Sequence, residues 1–149
     1  MFAIPTVLFV CTGNIYRSRF AEALFNHHAQ TRELGWCAFS RGLNIATTDF
    51  DGLSEHTQSA LESRGIELHH TATTKTALTD EDLEMAHIVI ALNHDEHHPL
   101  VAKQFPAWAD QFNYWQVGDQ ELCEPAIAIS LIEKETEALI AELVASSEG

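Results

Sequence analysis

Val7, Leu8, Phe9 and Val10 form a short apolar run of strand formers ending at Cys11. From Arg17 onward the spacing turns helical, with Phe20, Ala21, Leu24 and Phe25 on one face. The pattern predicts a first helix over 17–30, a second strand over 36–40 and a polar loop over 41–51. Ser54 opens a helix with Ala60 and Leu61 on its apolar side, closed by Gly65, and 66–70 reads as a short strand or extended piece. Thr79-Asp80-Glu81-Asp82 resembles a helix cap ahead of Leu83 and Met85. Ile88 to Leu92 is continuously apolar, as a strand covered on both faces would be. A short helix over 94–101 stops before Pro106, a last strand covers 113–117, and 118–125 is irregular. Pro125 then opens a closing helix to Val144, with Ile129, Ile132, Leu139, Ile140 and Leu143 inward.

Strands alternating with helices specify right-handed crossovers and a parallel sheet. The fold class expected is α/β: a three-layer sandwich, a four-stranded parallel sheet with helices on both faces. No repeat, low-complexity tract or linker interrupts the chain, so 1–149 reads as a single domain. The loop after the first strand then lies at the carboxyl edge of the sheet, where open α/β sheets place their ligands.

Charge narrows the functional classes. A net charge of −14 with eight basic residues disfavours nucleic acid, whose phosphates need a basic surface. Three of the five arginines, Arg17, Arg19 and Arg41, lie in or beside one loop and one turn, which suggests a small cationic mouth in an acidic shell. Arg41 is expected to extend that mouth toward acidic residues beside a bound group. The opening MFAIPTVLFV has no basic start and meets a polar loop, so it reads neither as a signal peptide nor as a membrane span. Three cysteines, an odd number, suit reduced thiols and a cytoplasmic location. His94 and His98 share a helical face, but nothing in the sequence completes a metal shell, and neither metal nor cofactor is expected.

The chemistry concentrates in Cys11-Thr12-Gly13-Asn14-Ile15-Tyr16-Arg17-Ser18, a C-x5-R-S loop between strand and helix. Such a loop turns successive amides into one hollow, and the helix N-terminus adds partial positive charge. Gly13 and Asn14 both tolerate positive φ. Arg17 supplies a planar fork for two oxygens of a tetrahedral oxyanion. Cys11 at the floor is the nucleophile, and Ser18 can donate its hydroxyl to the sulfur. A nucleophile beneath a phosphate cradle means phosphoryl transfer through a phosphocysteine.

These residues, followed by Ala21-Glu22-Ala23, resemble the signature of the low-molecular-weight protein tyrosine phosphatases. Ser40-Arg41-Gly42, Arg64 to His70, His87 to Leu92 and Trp115 to Asp119 resemble further segments of that family in the same order. The resemblance implies hydrolysis of phosphate monoesters, protein phosphotyrosine foremost, with a phosphorylated protein or small ester as partner and inorganic phosphate as product. It implies Asp119 as general acid, and Ser40 and His70 as braces for Asn14. A monomer or weak dimer is expected. This chain departs from the family pattern at several positions. Gln120 stands for a proline, Glu121 and Leu122 replace an aromatic wall, and Tyr16 replaces a second loop cysteine. Arg19 stands for a proline and Asn93 for an aspartate. Phosphotyrosine selectivity therefore stays open. Two rivals remain: an arsenate reductase, which would need Cys37 and Cys123 as a relay, and a phosphate-binding interaction module without turnover.

Overall fold

The computed structural model describes residues 4–50, 52–71, 74–119 and 122–148. Its four strands are β1 (Thr6–Cys11), β2 (Cys37–Gly42), β3 (Ile88–Ala91) and β4 (Asn113–Tyr114), in the order β2-β1-β3-β4 and all parallel. The helices are α1 (Arg17–Thr31), α2 (Glu55–Ser63), α3 (Asp80–Met85), α4 (His94–Gln104) and α5 (Pro125–Glu148).

β1 divides the core because its side chains alternate across the sheet. Val7 and Phe9 pack with Phe20, Leu24 and Phe25 of α1, Leu61 of α2 and Ile132 and Ile140 of α5. Leu8 and Val10 face the other layer with Leu83 of α3 and Val101 of α4. These four apolar side chains of β1 are fully buried, each contributing roughly 1.5–3 kcal/mol of burial. That anchorage fixes where Cys11 emerges.

The sheet and its two helical layers match the expected class, with local differences. Leu68–His70 forms a 3-10 turn rather than an extended piece. β4 is two residues long, yet the chain beyond it stays pinned, with Trp115 N–H donating to Ala91 O at 2.9 Å and Val117 N–H to Leu92 O at 2.8 Å. That pinning carries the strand path to the edge of the Cys11 loop. Thr79 does form a capping box with Asp82, and Ser54 caps α2. Among the described residues no helix is long and apolar enough to cross a membrane.

Candidate active site

Residues 11–17 wrap the floor of a cavity of about 290 Å³ at the carboxyl edge of the sheet. The loop's carbonyls face outward because its surroundings supply donors for them. Leu43 N–H binds Cys11 O, Asn44 N–H binds Thr12 O, both at 2.9 Å, and Ser54 N–H binds Ile15 O at 2.7 Å. The Thr57 hydroxyl donates to Tyr16 O at 2.9 Å. Among the described residues the amides of Gly13, Ile15, Tyr16 and Arg17 have no protein acceptor, and Tyr16 gives α1 no side-chain cap. An uncapped helix start behind inward amides is an anion site.

Asn14 makes the turn. Its φ is 57°, whereas Gly13 stays out of the left-handed region, so the asparagine alone performs the task expected of both. Its Nδ2 donates to Ser18 Oγ (2.9 Å) and Ser40 Oγ (3.0 Å), and its Oδ1 accepts Thr76 N–H at 2.8 Å. Ser18 Oγ accepts from Asn14 and lies 2.9 Å from Cys11 Sγ, close enough for its hydroxyl to donate to a thiolate there. The Asn14 amide adds a second donor to that sulfur at 3.3 Å. Gly42 lets β2 lie close: a Cβ there would sit 2.7 Å from Thr12 O and 3.0 Å from Asn14 Cβ.

Arg17 is 2% exposed and held end-on by a residue that sequence reasoning missed. Nη1 and Nη2 donate to the two Glu96 carboxylate oxygens at 3.0 and 2.7 Å, and Nη1 also to Val117 O at 2.9 Å. Of the five guanidinium donors, the side-on pair, Nε–H and one Nη2–H, remains for two oxygens of a ligand. Glu96 also accepts from the Thr12 hydroxyl and from His97 Nε2. His97 Nδ1 accepts Asn93 N–H at 3.1 Å, which places its proton on Nε2. Burial works against both charges of the Arg17–Glu96 pair. The hydrogen bonds win, so the arginine is pushed above its usual value and the carboxyl held well below the carboxylate range. Burial lowers His97 and keeps it neutral. The one legible sign of Glu96 was position: Asn93 caps α4 where β3 ends, and Glu96 is the capped third residue.

Asp119 sits half-exposed at the rim, its Oδ2 3.8 Å from Arg17 Nη2. The expected departures at Gln120 and Glu121 lie outside the described residues. Ile15, Tyr16, Thr47 and Thr48 line the cavity walls. The Tyr16 hydroxyl is buried, and burial pushes its pKa up to about 12, so it stays protonated.

Three expected placements are corrected. His70 does not brace Asn14. Its ring packs against His27 and His69, at 5.7 and 4.2 Å between centroids, and its carbonyl accepts from Asn26 Nδ2. Thr76 N–H and the buried Arg19 occupy Asn14's surroundings instead. Arg19 is 1% exposed, so its guanidinium lies behind the loop rather than at a cationic mouth where a ligand could touch it. Arg41 turns away as well, bound to Asp82 at 3.0 Å and laid over the Phe39 ring. Ser40, by contrast, meets Asn14 as expected.

Cys37 pairs with Thr6 while Cys11 pairs with Gly42. Five residues of strand, roughly 16 Å, therefore separate the two thiols. All three cysteines are free.

The family model "Low molecular weight phosphotyrosine protein phosphatase" matches residues 6–147. A protein-arginine-phosphatase of Bacillus subtilis (strain 168) is 34% identical over 105 residues, 70% of this chain and 66% of that protein, so the match spans just under two thirds of the relative. The crystal structure of YfkJ from Bacillus subtilis superposes with a TM-score of 0.82 at 24% identity, covering 97% of this chain and 98% of that one. A low molecular weight protein tyrosine phosphatase from T. tengcongensis gives 0.74 at 26% identity over 95% and 99% of the two chains.

Proposed function

The chain belongs to the low molecular weight phosphotyrosine protein phosphatase family, and from that premise we propose that it is a cysteine-dependent phosphatase hydrolysing phosphate monoesters, protein phosphotyrosine foremost. The observation that carries the reading is the convergence on one point of Cys11 Sγ, the inward loop amides and the free side-on fork of Arg17. A phosphoryl group seated there has three oxygens held and its phosphorus above the sulfur. Cys11 attacks, the ester oxygen leaves with a proton from Asp119, and Asp119 then takes a proton from the water that hydrolyses the phosphocysteine. Charge spreads over the equatorial oxygens in the transition state, so donors fixed beforehand stabilise it more than the ground state. Ser18 stabilises the sulfur as it departs. Inorganic phosphate is released, and a monomer or weak dimer in the cytoplasm would suffice for this chemistry.

Ile15 and Tyr16 on the wall favour an aryl ester such as phosphotyrosine. A second reading, phosphoarginine, is favoured by one feature: the half-exposed Asp119 carboxylate lines the rim of the same cavity and would attract a guanidinium leaving group. Comparing kcat/KM on matched phosphotyrosine and phosphoarginine peptides decides between them. A ratio above one supports the aryl reading, and a ratio below one replaces it.

The role of Asp119 is tested by leaving group. Asp119→Asn is expected to lower kcat/KM for phenyl phosphate by about 10²-fold or more. It should barely touch p-nitrophenyl phosphate, whose leaving group departs as a stable anion. Equal slowing of both esters would remove Asp119 from the acid's place.

A further inference from the structure

We propose that Arg19, rather than His70, is the positioning residue of the anion-binding loop in this chain, pinning left-handed Asn14 through a closed ring of buried hydrogen bonds. The inference rests on the phosphatase reading, since it concerns how that loop is held.

The ring can be followed donor by donor. Asn14 Nδ2 donates to Ser40 Oγ at 3.0 Å, and the Ser40 hydroxyl donates to Glu22 Oε1 at 2.7 Å. The Thr71 hydroxyl donates to the same oxygen at 2.7 Å and accepts from Arg19 Nε at 2.6 Å. Arg19 Nη1 closes the circuit on the Asn14 carbonyl at 3.3 Å. Every direction is consistent, because Glu22 only accepts and Arg19 only donates, so each hydroxyl between them has a defined sense. Asn14, Arg19, Glu22, Ser40 and Thr71 are all buried. In so dry a setting a satisfied polar network specifies one geometry, and a broken one is costly.

The ring holds both ends of Asn14, its side-chain amide and its carbonyl. Those are the groups that would swing if φ left the left-handed region. Asn14 in turn orients Ser18, whose hydroxyl meets Cys11. Arg19 thus acts on the floor of the site without touching a ligand. His70 shares none of these bonds.

The test is calorimetric binding of inorganic phosphate to the full chain. Losing a charge-assisted bond to the loop is expected to raise the dissociation constant about tenfold in Arg19→Met. That variant also removes a positive charge, which alone weakens anion binding. Arg19→Met/Glu22→Leu removes one charge of each sign and leaves no unpaired buried ion, so it keeps the fold if the single variant does not. The double variant is expected to show the same tenfold weakening, and His70→Ala none. A purely structural role would lower the melting temperature and the binding stoichiometry while leaving the dissociation constant at its wild-type value. A wild-type constant in the folded double variant, or an equal loss in His70→Ala, overturns the proposal. Failure of the phosphatase reading shows separately, as wild-type chain without turnover of p-nitrophenyl phosphate.

Discussion

Replacing Cys11 with serine is expected to lower turnover of p-nitrophenyl phosphate by roughly four orders of magnitude or more while inorganic phosphate still binds within a few-fold of wild type. The two halves of that result have different causes. The loop amides, Asn14 and Arg17 hold the oxyanion, and none depends on the sulfur for its position: Asn14 is fixed by Ser18, Ser40 and Thr76, and Arg17 by Glu96 and Val117. A serine oxygen keeps the small size and can accept from Asn14 N–H, yet it is a poor nucleophile with no adjacent base. Steady-state kinetics and phosphate calorimetry on one preparation read both halves. Turnover within tenfold of wild type would remove Cys11 from its role.

The second large effect is expected at Arg17. Arg17→Lys should reduce kcat/KM on the same ester by about 10³-fold, because an ammonium is a point charge and cannot serve two faces at once. In the native site the end-on face binds Glu96 and the side-on face is left for the ligand. A lysine would satisfy Glu96 and leave the equatorial oxygens without their fork. Burial sharpens the penalty, since Arg17 is 2% exposed and water cannot fill in for a lost donor. Activity within fivefold of wild type would show that the guanidinium geometry is not what stabilises the transition state.

How far the sequence revealed this site follows from distance along the chain. The C-x5-R-S loop was legible because strand, turn and helix start are consecutive and their chemistry is local. The sheet was legible for a similar reason: β1 and β3 are apolar on both faces, as only covered parallel strands are. Glu96 was not legible, because it lies 79 residues from Arg17 and meets it only through the β1–β3 register. In the sequence it looks like one acid among many in the first turn of a helix. Arg19 and Arg41 were misplaced because charge reads as exposure until a buried partner is known. Glu22 with Thr71 draws one inward, and Asp82 with the Phe39 ring draws the other aside. His70 matched the family pattern by position. With arginine rather than proline at 19, a guanidinium fills the ground near Asn14 and the histidine packs with His27 and His69 instead.

The central claim is that a phosphoryl group passes through Cys11. Rapid quenching of wild-type enzyme turning over ³²P-labelled p-nitrophenyl phosphate, followed by digestion and peptide mapping, tests it most directly. The account predicts a label on the peptide carrying Cys11 in the wild-type enzyme, and loss of turnover in Cys11→Ser. Full turnover with no label on that peptide, or a label retained in the serine variant on another residue, would contradict it.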